Sequence, residues 1–167
     1  MIYEREIEGI SPDDCPAHDG GGHFRTTAIA TGLAWALAFV IIGVGFGLQM
    51  YGDGAIFSYA IAVEDAWAFH WHNIAGRVFV YLATCWPAER FVALTGSARG
   101  GIILYGLLFF SGQVVGLLVT WIVDRSKERN FFVSACTSTA CFCPLVFGFP
   151  TEMWMAHAAY WPALALS

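Results

Sequence analysis

The sequence predicts an all-α integral membrane protein, with four transmembrane helices followed by a short C-terminal helix that is interfacial or partly inserted. Two observations carry this. First, residues 26–52, 100–123 and 130–151 form three stretches without a charged side chain. A helix rises about 1.5 Å per residue, so roughly 20 apolar residues cross a hydrocarbon core about 30 Å thick, and each stretch reaches that length. Second, the chain is 57% hydrophobic and 13% charged, with a mean hydropathy of +0.60, whereas a soluble domain carries about 25% charged residues. Backbone polar groups in lipid must be satisfied within the segment, and these runs do not alternate as barrel strands do. Helices are the remaining solution.

Residues 1–25 read as a flexible acidic tail, and 26–167 as a single transmembrane bundle. Glu4, Glu6, Glu8, Asp13, Asp14 and Asp19 supply most of the net charge of −5. That sign disfavours nucleic acid and anionic lipid headgroups as partners. Pro12, Pro16 and the run Gly20-Gly21-Gly22 are expected to break regular structure. The acidic start argues against a cleaved signal peptide, so the first helix is expected to remain as an anchor.

The first helix is expected over 26–49, the loop over 51–62, and an aromatic-rich interfacial helix over 63–73, where Trp67 and Trp71 suit headgroup depth. The second span is centred on 78–88, which is too short to cross unless His70, His72, Asn73 and Arg77 are included. The third runs over 101–123 and the fourth over 131–149, ended by Pro150. The last segment, 152–166, has Thr151 as a plausible cap and Glu152 at its start. Gly43 with Gly47, and Gly112 with Gly116, are spaced by four and should line helix contacts; Gly32 and Gly45 would also admit a neighbouring helix. Arg5, Arg25, Arg90 and Arg99 on one side balance Arg77, Arg125, Lys127 and Arg129 on the other, so charge does not orient the bundle.

Ionisable residues at membrane depth are expensive and by default mark a site. The densest such stretch is His70-Trp71-His72-Asn73-Ile74-Ala75-Gly76-Arg77. Histidine nitrogens are axial ligands of haem, and bundles hold such ligands on facing helices. On a helix His72 and Gly76 share a face, the glycine leaving room for a flat macrocycle, and Arg77 is placed to meet a propionate. The bland alternative makes these histidines boundary residues beside Trp67 and Trp71.

The pattern His72-Asn73-Ile74-Ala75-Gly76-Arg77, continued by an apolar run that ends at Arg90, resembles the second helix of b-type cytochrome membrane anchors of respiratory dehydrogenases and hydrogenases. His23, before the first long helix, is similar to that family's first-helix histidine. The resemblance covers about Phe24 to Arg90. It implies a haem b subunit of the bacterial inner membrane that passes electrons between a peripheral subunit and quinone. His72 would be the ligand, His157 or His23 its partner, and Arg77 the charge partner.

His157, Tyr160, Trp161 and Leu164 share a helical face, either an anchoring aromatic belt or the wall of a haem or quinone pocket. Cys15, His18 and His23 with Asp14 or Asp19 are zinc or copper ligand types, at a spacing that is not a standard finger. Cys136, Cys141 and Cys143 lie in an apolar stretch, where packing is favoured over thiol chemistry. The residues around 124–129 read as a solvated connector. No Ser-His-Asp set, phosphate loop or H-E-x-x-H is visible. The competing reading is therefore a non-catalytic accessory or assembly subunit without cofactor.

Overall fold

The computed structural model describes residues 20–64, 75–146 and 152–167. Helices and the short turns between them make up the described residues, without strands. Helix α1 spans Gly20–Gly45, α2 Asp53–Ala62, α3 Ala75–Val80, α4 Trp86–Thr95, α5 Ala98–Phe110, α6 Gly112–Val123, α7 Asn130–Leu145 and α8 Glu152–Leu166.

Among the described residues two helical rods are long and apolar enough to cross a membrane, Gly21–Gly45 and Ala98–Val123, where four spans were expected. The second rod joins α5 to α6 through Ser111, whose hydroxyl donates to the Leu108 carbonyl at 3.1 Å. A Ser-Gly pair is a common place for a helix to bend. The expected fourth span is the 16-residue α7, about 24 Å at 1.5 Å per residue. Pro144, inside its last turn, lacks the N–H that would continue the ladder. The expected second span is a segmented helix. A π turn, Tyr81–Cys85, separates α3 from α4, with the Trp86 N–H bonded to the Tyr81 carbonyl five residues back. Pro87 follows in the first turn of α4, where a missing donor does least harm.

Several local expectations are corrected. The Gly20-Gly21-Gly22 run is helical, so His23 and Arg25 lie on α1 instead of before it. Each glycine costs a helix about 1 kcal/mol relative to alanine, which a long helix that is already formed can absorb. Residues 53–62, read as loop, form α2, led by Asp53 at the favourable end of the helix dipole. Gly47 makes no contact that an added Cβ would meet; its φ of +68° instead turns the chain at the end of α1. Gly45 is open too, whereas Gly43 faces the Phe110 ring. The interfacial helix expected over 63–73 falls almost wholly outside the described residues. The last helix has the expected bounds, Glu152–Leu166.

Packing is organised by α1 on α7 and α6 on α8, with α5 against α1, α2 and α4. The α1–α7 contact is close at Gly32, where a Cβ would stand 2.4 Å from the Cys136 carbonyl oxygen. The core is aromatic. Phe39 meets Phe110 edge-on at 5.1 Å and lies 3.7 Å from the Trp154 ring. The outward faces are apolar as well, including Leu33, Leu37 and Ile41 on α1 and Leu107, Val115 and Leu118 on α5–α6. Only 28% of the most apolar window of α1 and 39% of that of α5–α6 are buried. Polar Gln49, Ser58, Thr84, Gln113, Thr120 and Thr139 point inward instead.

The connector between α6 and α7 is a built joint, not a loose charged loop. Asp124, 4% exposed, accepts the Ser126 amide and hydroxyl at 2.9 and 2.6 Å on one oxygen and the Phe132 amide at 2.9 Å on the other. The Ser126 hydroxyl oxygen in turn accepts the Asn130 amide at 2.8 Å. Two of the four donors that open α7 are thereby satisfied. Burial works against the Asp124 carboxylate, but hydrogen bonds from Ser126 and from the Phe132 and Phe131 amides outweigh it and hold its pKa below the ordinary value. Arg129, at φ +52°, folds back over the Trp121 ring and donates to the Trp121 carbonyl, covering the C-terminal end of α6.

Candidate functional site

The α6–α8 contact is made close by glycine. A Cβ on Gly116 would lie 2.3 Å from the Ala158 carbonyl oxygen, and one on Gly112 would lie 2.6 Å from Met155 Sδ. This glycine pair lines a helix contact as its spacing predicts. The close approach brings Gln113, the residue after Gly112, within reach of α8. Gln113 Nε2 donates to the Trp154 carbonyl at 2.8 Å, and its Oε1 lies 3.1 Å from His157 Nδ1. The other imidazole nitrogen, Nε2, lies 2.8 Å from Ser138 Oγ on α7. One polar chain therefore joins α6, α8 and α7.

The protonation pattern follows from what each partner can do. The Trp154 carbonyl only accepts, so the Gln113 amide nitrogen must face it and Oε1 must face the histidine. Nδ1 then carries a hydrogen and donates, and in the neutral imidazole Nε2 accepts the Ser138 hydroxyl. Phe142, one turn after Ser138, stacks on the imidazole at 4.6 Å and 11° and fixes the plane of the ring. Trp154, one turn before His157, is held between Phe39 and Phe142, the latter at 5.9 Å and 19°. Such a chain can clamp three helices, because breaking it strands buried polar groups. It also places a hydroxyl against an oriented base.

No protein-family model, curated protein or solved structure matches this chain. The site therefore has to be read from its own atoms.

The residues expected to form a haem site are not brought together among the described ones. His157 is committed through both nitrogens, so it could bind iron only by giving up Ser138 or Gln113. His23 is exposed on α1. Gly76 and Arg77 belong to α3, while His72, with Cys15 and His18, lies outside the described residues. Among the described residues no three His, Cys, Asp or Glu side chains are grouped to hold a metal ion. Cys136 and Cys143 are buried and Cys141 is exposed, all three as free thiols. The supposed aromatic wall is divided, since Tyr160 is 56% exposed while Trp161 packs against the cluster of Ala36, Leu117 and Cys136.

Gln113 and Ser138 escaped the sequence reading. The available signal was Gln113 itself, an amide inside an otherwise apolar, charge-free run, where a polar side chain is expensive without a partner. Ser138, within Thr137-Ser138-Thr139, gave no such contrast.

Proposed function

We propose that the chain is an integral membrane accessory or anchor subunit, a multi-pass bundle whose His157 is held by Gln113 and Ser138 and does not ligate haem. The observation that carries this reading is the polarity of the two long rods. Leu33, Leu37 and Ile41 on the first and Leu107, Val115 and Leu118 on the second face outward, while Gln113 and Thr120 of the second are buried. A core helix of a soluble protein would be mostly buried, and a surface helix would turn polar residues out. The remaining helices, too short or too segmented to cross singly by length and composition, pack against these rods. Partners are then other membrane or peripheral subunits that meet its exposed apolar faces.

A haem b electron-transfer role, with quinone as acceptor or donor, is the second reading. The π turn directly after α3 supports it, because such turns are frequent at functional sites. It would rest on His72 with His157 or His23 as the second ligand. Protein purified in detergent from alkali-washed membranes separates the two. The expected result is retention in the washed membrane and no b-type band in the reduced-minus-oxidised spectrum. A band of one haem per chain that His72→Ala abolishes would replace the accessory reading with the electron-transfer one.

A further inference from the structure

We propose that Ser138, His157 and Gln113 form a nucleophile–base–orienter set that acts on carboxylic esters of acyl lipids. The three roles are assigned by geometry. Ser138 Oγ lies 2.8 Å from His157 Nε2, within the distance at which an imidazole can take a hydroxyl proton. His157 Nδ1 lies 3.1 Å from Gln113 Oε1, and Gln113 is itself pinned at 2.8 Å to the Trp154 carbonyl. The base is thus held in the tautomer that leaves Nε2 free to accept, which is what a nucleophile–histidine pair requires. The Phe142 ring, 4.6 Å away and nearly parallel, prevents the imidazole from turning out of that line.

A helix clamp needs hydrogen bonds but not access, and this set has access. Ser138 and His157 are half-buried at the seam of α7 and α8, flanked by exposed Ser134 and Cys141 on one helix and exposed Ala156 and Tyr160 on the other. The residues named beside the seam carry no charge, so a substrate that reaches it from the lipid phase is an uncharged acyl ester; the substrate class rests on the membrane reading above. Trp154 adds a second feature, a fully buried indole N–H without a partner among the described residues, one helical turn from His157.

The chemistry balances with water as the only co-reactant. Ser138 Oγ forms a bond to the acyl carbon while its proton passes to His157 Nε2. The ester C–O bond then breaks, and the leaving alcohol takes the proton from Nε2. Water, deprotonated by the same nitrogen, attacks the acyl-serine, releases the carboxylic acid and restores the Ser138 hydroxyl. A neutral amide as the third member orients the imidazole but gives the developing imidazolium no countercharge, so turnover is expected to be slow compared with a set that ends in a carboxylate.

The test is labelling of the full chain, in native membranes and in detergent, with a fluorophosphonate probe that traps activated serines, followed by mapping of the modified peptide. Wild type should label at Ser138. Ser138→Ala should abolish labelling and His157→Gln should reduce it at least tenfold, while Ser134→Ala, on the same helix but away from the histidine, should label like wild type. Folded wild type that labels no more than heat-denatured protein, or Ser138→Ala that labels equally, would overturn the proposal. Alkaline extraction of the same samples keeps the two claims apart. Protein that labels but leaves the membrane retains the reactive site and refutes the membrane reading. Protein that stays but does not label does the reverse.

Discussion

Gly32→Leu is expected to lower the thermal midpoint of the detergent-solubilised protein by roughly 6–12 °C, a destabilisation of about 3 kcal/mol. The cause is that the obstructing atoms belong to the backbone. The first added carbon would stand 2.4 Å from the Cys136 carbonyl oxygen and 2.7 Å from its Cα. A side chain can rotate away, but here α1 and α7 must move apart, and theirs is the most extensive helix contact of the bundle. The separation would disturb Ala36, Ala135 and Cys136, all fully buried around it. Gly21→Ala is the control, since an added Cβ there meets nothing within 4 Å. That variant should hold the wild-type midpoint or exceed it slightly, because alanine is the better helix former. Equal midpoints for Gly32→Leu and Gly21→Ala would mean that α1 does not cross α7 at this point.

Gln113→Leu is expected to destabilise the bundle by about 1–3 kcal/mol, measured by chemical denaturation in detergent. The substitution keeps the volume apolar but removes two bonds at once, one to the Trp154 carbonyl and one whose loss leaves the His157 Nδ1–H stranded. Ser138→Ala removes a single bond to Nε2 and should cost about 0.5–1.5 kcal/mol. The order of the two matters more than their size. If Ser138→Ala proves the more damaging, the chain of bonds does not run through Gln113 as described. Combining Gln113→Leu with His157→Leu should be less damaging than the sum of the single changes, because the second removes a donor already stranded by the first.

What the sequence made legible is what hydrophobic length and helix termini determine. The last helix, the long first helix and the rod ending before Asp124 follow from apolar runs closed by charge or proline, and the Gly112–Gly116 contact from spacing alone. What stayed hidden depends on partners distant in the chain. Gln113 and His157 are 44 residues apart and Ser138 and His157 are 19 apart, so neither pairing leaves a periodic trace. His157 stood out as an ionisable residue in an apolar helix, yet whether its nitrogens face a cofactor or its own bundle depends on α6 and α7. The joint at Asp124 was missed because a charged cluster reads as solvated, and only the amides of α7 turn that aspartate into a buried cap. The helical Gly20-Gly21-Gly22 run reverses a local preference, because a long apolar helix extends through residues that would not start one.

On the proposed reading, the apolar faces turned outward from the two long rods meet lipid. Nitroxide labels at Leu37 and Leu118, 51% and 53% exposed, test it in reconstituted bilayers, with a label at exposed Lys127 in the α6–α7 joint as reference. The labels at Leu37 and Leu118 should collide freely with dissolved oxygen and be shielded from a water-soluble nickel chelate, while the label at Lys127 should show the opposite. Nickel access at Leu37 and Leu118 equal to that at Lys127 would contradict it, and the two rods would then face water.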